Sequence, residues 1–120
     1  MKKQRELKAD YKSALRPMGV YAVRDTIAHV AYVGTAMDLP GILNRHRFEL
    51  KVGGHRNADL VAAYKAHGPE SFVFETTDTL EPKSEPGQDY VRELEMLLEL
   101  RMAHGLTEAD GTPVRLRLMY

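Results

Sequence analysis

The chain has 120 residues, 43% of them hydrophobic and 28% charged, with no cysteine and a formal net charge of zero. That length carries one domain with a core of its own, while the lack of cysteine excludes a disulfide framework or a thiolate metal site and fits a cytoplasmic protein. No apolar run approaches the roughly 20 residues of a membrane span, and the N-terminal charges of Lys2, Lys3 and Arg5 have no hydrophobic segment behind them, so they do not read as a secretory signal. Charge is unevenly placed: residues 1–56 hold eleven Lys/Arg against five Asp/Glu, and residues 57–120 hold six against twelve. Such a split suits one phosphate-facing surface and equally suits scattered solvated charge.

In chain order, Leu7, Tyr11 and Leu15 form an i, i+4 stripe among charged residues, which predicts a helix over 2–15 closed by Arg16-Pro17. Met18 to Arg24 and His29 to Thr35, rich in Val, Tyr and Ile, predict a β-hairpin around Asp25-Thr26-Ile27-Ala28, a linker without a strong Asn-Gly signal. Asp38 caps a second helix with Pro40 in its first turn, and Leu39, Leu43, His46 and Leu50 make the inner stripe up to Gly53-Gly54. A third helix begins near Asn57, turns Leu60, Val61 and Tyr64 inward and stops at Gly68-Pro69. Ser71 to Thr77 alternates as a strand, and residues 81–89, with two prolines and a glycine, read as a loop. Residues 89–104 form a long helix on Val91, Leu94, Leu98 and Met102, closed by Gly105; beyond it Asp110 to Pro113 is a turn and Val114 to Leu118 an edge strand. The layout divides into an N-terminal helical extension (1–17), a central α+β domain (18–105) and a C-terminal tail (106–120). It contains no phosphate loop, dinucleotide fingerprint, His-Glu-x-x-His motif or nucleophile elbow.

Two tripeptides, Gly19-Val20-Tyr21 and Tyr32-Val33-Gly34, place two phenols on the hairpin. Followed by Asp38-Leu39, Arg45-His46, a glycine turn at 53, His55-x-Asn57, Leu60, His67-Gly68, Phe72-x-Phe74-Glu75 and Glu95, this ordered set over residues 18–104 resembles the GIY-YIG nuclease domain. It is also similar over nearly its full length to a group of compact stand-alone bacterial domains, on the basic N-terminal helix, Asn44-Arg45-His46-x-Phe48 and His55-Arg56-Asn57. The resemblance implies an α+β fold, a small mixed or antiparallel sheet of the hairpin plus one further strand, flanked by helices.

It also implies hydrolysis of nucleic-acid phosphodiester bonds, with DNA as the partner and one divalent ion, Mg²⁺ or Mn²⁺, as cofactor. In-line attack by water adds negative charge to the phosphoryl oxygens, so such a site needs a cation opposite that charge and a base beside the water. A hard ion keeps most of its waters and needs few protein oxygens. Tyr21 matches the family's general base or proton relay, Tyr32 the residue orienting water or phosphate, His46 the histidine beside the phosphate, and Glu95 the metal anchor. His55 and Asn57 match positions that shape the site, and Arg47, Lys51 and Arg56 supply cations along the same helix and its exit.

The residues alone leave plainer roles open. Tyrosine is a favoured strand residue, a histidine on an apolar helix face is commonly a satisfied core group, Glu95 can pair with Arg92 or Arg101, and His55 and Asn57 can form a turn and a helix cap. The family's catalytic arginine falls on Ile42, which can neither bond nor neutralise a phosphoryl oxygen; Arg45, one turn on, is the candidate replacement. The alternative reading is therefore a catalytically impaired nuclease fold that binds nucleic acid or a protein without cutting.

Overall fold

The structure, a computed structural model, describes residues 16–82 and 89–120. The helix expected over 2–15 lies outside the described residues, as does most of the loop expected over 81–89.

Strands β1 (Met18–Asp25) and β2 (Val30–Ala36) form the expected antiparallel hairpin, with Tyr21 opposite Gly34 and Val23 opposite Tyr32. On the other side of β1 lies β3 (Phe72–Leu80), also antiparallel. It runs three residues beyond the expected end at Thr77, because a register shift lets Asp78 to Leu80 continue along Met18 to Val20. Thr77 is the extra residue of that bulge, and its hydroxyl donates to the Val20 carbonyl at 3.3 Å.

Residues 106–120 are built into the same sheet rather than hanging from it. β5 (Pro113–Leu118) pairs in parallel with β2, and the two-residue β4 (Leu106–Thr107) pairs antiparallel with β5. The sheet thus has five strands in the order β3-β1-β2-β5-β4. The expectation of three strands, with Val114 to Leu118 at an edge, fell short because a parallel partner so distant along the chain leaves no local signature.

Alternation along the central strands divides the core. Val20, Ala22, Ala31, Val33 and Val114 face helix α3 (Val91–His104), where Leu97, Leu98 and Met102 cover them. Tyr21, Val23 and Tyr32 face the opposite way, toward α1 (Leu39–Val52) and α2 (Ala58–His67), and pack with Leu39, Leu50, Leu60 and Phe72. Asp38 caps α1 by accepting from Gly41 N–H at 3.1 Å, and Gly53 ends it at φ 80°, the left-handed conformation that glycine adopts without strain. Asn57 caps α2 by accepting from Leu60 N–H at 3.0 Å.

The hairpin linker carries a device that composition did not announce. Asp25 is fully buried; its Oδ1 accepts from the Ile27 and Ala28 N–H groups at 3.0 and 3.1 Å, and its Oδ2 lies 2.6 Å from His67 Nδ1 at the end of α2. One carboxylate therefore shapes the turn and ties it to a helix. Asp25→Ala removes the one acceptor that the two turn N–H groups and His67 share and should cost about 1–3 kcal/mol of unfolding free energy. A urea midpoint unchanged from wild type would show that the turn does not depend on Asp25.

Candidate active site

The glycines of the two tripeptides have separate steric reasons to be there. A Cβ on Gly34 would stand 2.6 Å from the Tyr21 hydroxyl oxygen and 2.8 Å from its Cζ, so the absent side chain is the space the phenol occupies. Gly19, at φ 157°, passes so close to β3 that a Cβ would run into the Asp78 carbonyl.

From that slot the Tyr21 hydroxyl reaches the inner face of α1, where its oxygen lies 2.8 Å from His46 Nε2. His46 Nδ1 lies 2.7 Å from His55 Nε2, and His55 Nδ1 accepts from the backbone N–H of Asn57 at 3.0 Å. Tyr21 and His46 are 1% and 0% exposed and His55 is 7% exposed, so this is a continuous polar line inside an apolar layer. The rings are tilted against one another at 36°, with centroids 5.1 Å apart for Tyr21–His46 and 4.9 Å for His46–His55.

Burial sets the charge states. It holds His46 down to about 4, with His55 beside it adding to the effect, and it also lowers His55. Burial likewise raises the Tyr21 phenol, and the Tyr120 phenol adds to the shift. At neutral pH the line is therefore uncharged.

Tyr120 is the contributor that sequence reasoning missed. Its ring stacks on His55 at 6.4 Å and 5°, lies 6.2 Å from His46, and carries the Arg56 guanidinium at 5.4 Å from its centroid. Asn57 holds this segment in place, since its Nδ2 donates to the Met119 carbonyl at 2.8 Å. Asn57 is thus at once the cap of α2 and the anchor of the segment that carries Tyr120.

The remaining candidates are distributed around this line. Tyr32, one rung along the same face, is buried, with Arg117 5.8 Å above its ring. Burial raises its phenol, and Arg117 works in the opposite direction. Arg45 is exposed and pairs with Glu49 at 3.5 Å. Arg47 lies 4.7 Å over the Phe74 ring and donates to Asn44 Oδ1 at 3.1 Å. Lys51 and Arg56 are exposed at the end and exit of α1.

Glu95 is exposed on α3, the helix on the other side of the sheet. Arg101, one of the partners open to Glu95 in the sequence, is taken by Asp78 through two bonds of 2.8 and 3.0 Å, which also hold the Asp78 carboxyl below its usual range.

The two sides meet at a groove of about 270 Å³ that passes the β2 end at Gly34 and Thr35. Tyr21, Ile42, Leu98 and Tyr120 are among its walls. Glu95 precedes the groove residue Leu98 by three positions on α3 and is not itself among the residues that line the groove.

A second group with the residue types of a metal site is His46, Glu49 and His55, whose ligand atoms come within 4.8 Å of one another. Two imidazoles and one carboxylate suit Zn²⁺ or Mn²⁺ better than Mg²⁺. All four imidazole nitrogens, however, already have protein partners.

No family model matches this sequence, and no curated protein matches it. Among solved structures it is similar to the catalytic domain of the homing endonuclease I-TevI, with 24% identity, 81% of this chain and 96% of that chain covered, and a TM-score of 0.52. The chain has the GIY-YIG fold. A mutant of the same catalytic domain matches over 66% of this chain and 84% of that chain, with 24% identity and a TM-score of 0.49. Within the GIY-YIG fold, the two tripeptides are the hairpin β1–β2, and the position at which the sequence resemblance expects an arginine is the partly buried Ile42 on the groove wall.

The neutral histidine line makes stability depend on pH. Unfolded His46 takes up a proton near 6.5, whereas in the fold it resists until about 4. Between those values the unfolded chain binds more protons, so stability is complete above 6.5 and is lost as pH falls toward 4. The His46 contribution is on the order of 3 kcal/mol, and His55 adds in the same direction. Urea unfolding at pH 7 and pH 5 should show this loss in wild type and a flatter dependence in His46→Gln; equal slopes would remove His46 as its source.

Proposed function

We propose that this chain is a divalent-metal-dependent endonuclease that hydrolyses DNA phosphodiester bonds at the Tyr21 groove. The observation that carries the proposal is the Tyr21 hydroxyl, fixed by a neutral histidine line at the wall of a groove, in a fold shared with the catalytic domain of a homing endonuclease.

The chain's own residues supply recognisable parts. Tyr21 presents its hydroxyl to the scissile group, and His46 fixes that oxygen's position. Arg45, Lys51 and Arg56, exposed around α1 and its exit turn, supply cations for flanking phosphates, while Arg47 reaches the same surface from over Phe74. Tyr32 orients water or phosphate in this reading, beside Arg117, whose guanidinium lies over its ring and pairs with Asp59 at 2.9 Å. Glu95 offers an exposed oxygen donor of the hard type that Mg²⁺ or Mn²⁺ takes. Such an ion, when bound, provides positive charge opposite the phosphoryl oxygens.

A second reading, a nucleic-acid-binding module that does not cut, is favoured by one observation: Ile42 and Leu98 make two walls of the groove apolar. Removing a cation or donor aimed at developing charge commonly lowers rates by about 10²–10³.

Cleavage of supercoiled DNA with Mg²⁺ or Mn²⁺ separates the two. The hydrolase reading expects metal-dependent nicking that disappears in Glu95→Ala and in Tyr21→Phe, and a rise of more than about tenfold in Ile42→Arg. Equal nicking by wild type and Glu95→Ala would end the metal assignment. No nicking, with DNA still bound, would select the binding module.

Either reading requires salt-sensitive DNA binding. The double variant Lys51→Ala/Arg56→Ala should reduce the log–log salt slope by roughly two units, about one for each phosphate that is no longer neutralised. Binding that does not respond to salt would remove nucleic acid as the partner of this surface.

A further inference from the structure

The hydrogen bonds at Tyr21 have a direction, and the direction is set far from the phenol. A backbone N–H can only donate, so His55 Nδ1, 3.0 Å from the Asn57 N–H, must be the unprotonated nitrogen. Neutral His55 then carries its proton on Nε2 and donates it to His46 Nδ1 at 2.7 Å. Neutral His46 in turn carries its proton on Nε2 and donates to the Tyr21 oxygen at 2.8 Å. Each ring has one proton, and the fixed donor at Asn57 decides where both of them sit.

We infer that His55 is a positioning residue that locks His46 as a hydrogen-bond donor to Tyr21, so that Tyr21 offers its own hydroxyl proton to the groove and His46 cannot take it. The role in catalysis rests on the hydrolase reading above; the protonation pattern does not. His46 is the hydrogen-bond partner of Tyr21 among the described residues, and its Nε2 is already protonated, so the phenolic hydrogen is left for another acceptor, and the groove that Tyr21 lines is where one can enter. If Tyr21 ionises, its proton leaves through the groove to solvent or to the occupant, and the His46 N–H remains to stabilise the phenolate.

The same pattern bears on the His46, Glu49 and His55 group. A metal on His55 Nε2 would move that ring's proton to Nδ1, directly against the Asn57 N–H. The groups that surround the line are the Glu49 carboxylate, the Arg45 and Arg56 guanidinium groups and the Tyr120 phenol, none of which replaces the backbone donor.

The experiment is ¹⁵N NMR of the imidazole nitrogens at neutral pH in wild type, His55→Gln and His55→Glu, with nicking assays in parallel. Gln at position 55 keeps an N–H donor for His46 Nδ1, whereas Glu presents an acceptor there. Expected is an Nε2–H tautomer for His46 in wild type and His55→Gln and an Nδ1–H tautomer in His55→Glu. Nicking should be retained in His55→Gln and fall at least about 100-fold in His55→Glu, within the ~10⁴ that a wrong histidine tautomer costs in a serine-protease triad.

An Nδ1–H or cationic His46 in wild type overturns the inference, and that measurement decides the matter even if the Glu variant does not fold. The same His46 tautomer in folded Gln and Glu variants overturns the role of His55. A wild type with the expected tautomer and no nicking supports the assigned protons while removing the hydrolase reading.

Discussion

A phenol placed with its oxygen inside the layer between a sheet and a helix must be given a partner, since a buried polar group without one costs about 1–3 kcal/mol. Tyr21 is in that position, and much of the surrounding architecture answers its requirement. Gly34 makes room for the ring, His46 meets the hydroxyl, His55 meets His46, and the Asn57 backbone terminates the series at the start of a helix. Each partner is itself buried and brings its own unsatisfied group, so the series can end only at a donor with no further demand. A helix N-terminus supplies such donors as part of its construction. The loop between α1 and α2 is thereby constrained in length and composition, with Gly53 turning the chain and Asn57 capping the next helix.

The groove beside this line combines a polar element with apolar walls. Ile42 packs partly into the α1 side of the core and Leu98 into the α3 side, so each wall residue also contributes to stability. An arginine at 42 would have to exchange that packing for solvation of its charged head. The exposed cations are displaced outward, to the far part of α1 and to the turn at Arg56. The surface is better equipped to hold a phosphate backbone at its margin than to neutralise charge beside Tyr21.

Sequence patterns disclosed the hairpin, the three described helices and β3, because all rest on short-range periodicity and on caps such as Asp38, Gly53 and Asn57. The ordered motif also marks Tyr21, His46, His55 and Asn57, which the fold joins in one line. What stayed hidden was every feature produced by distant pairing. The parallel partner of the expected strand at 114–118, the short β4 beside it, the stacking of Tyr120 on His55 and the capture of Arg101 by Asp78 join residues with no common local pattern. The buried Asp25 was hidden for a different reason: an aspartate in a linker is read as a solvated turn residue, and its bond to His67 depends on where α2 ends. The exposure of Glu95 depends on helix rotation, which a mixed stripe of Leu94, Leu97 and Leu98 fixes only once the sheet is present.

The parallel pairing of β2 with β5 sets an order of assembly. The hairpin closes over a few residues and α1 follows directly, so Tyr21 and His46 can meet early. Val30 to Val33 must wait for Arg115 to Leu118, with the whole of α2, β3 and α3 between them. Loop-closure entropy makes contacts of that sequence separation slow to form. The Tyr120 ring and the Met119 anchor on Asn57 arrive with that strand, so the half of the site that faces solvent is completed after the half that holds the phenol. The same residues would leave together if β5 frayed, so the mouth of the groove depends on the Met119 bonds to Val33 and Asn57 that hold the end of that strand.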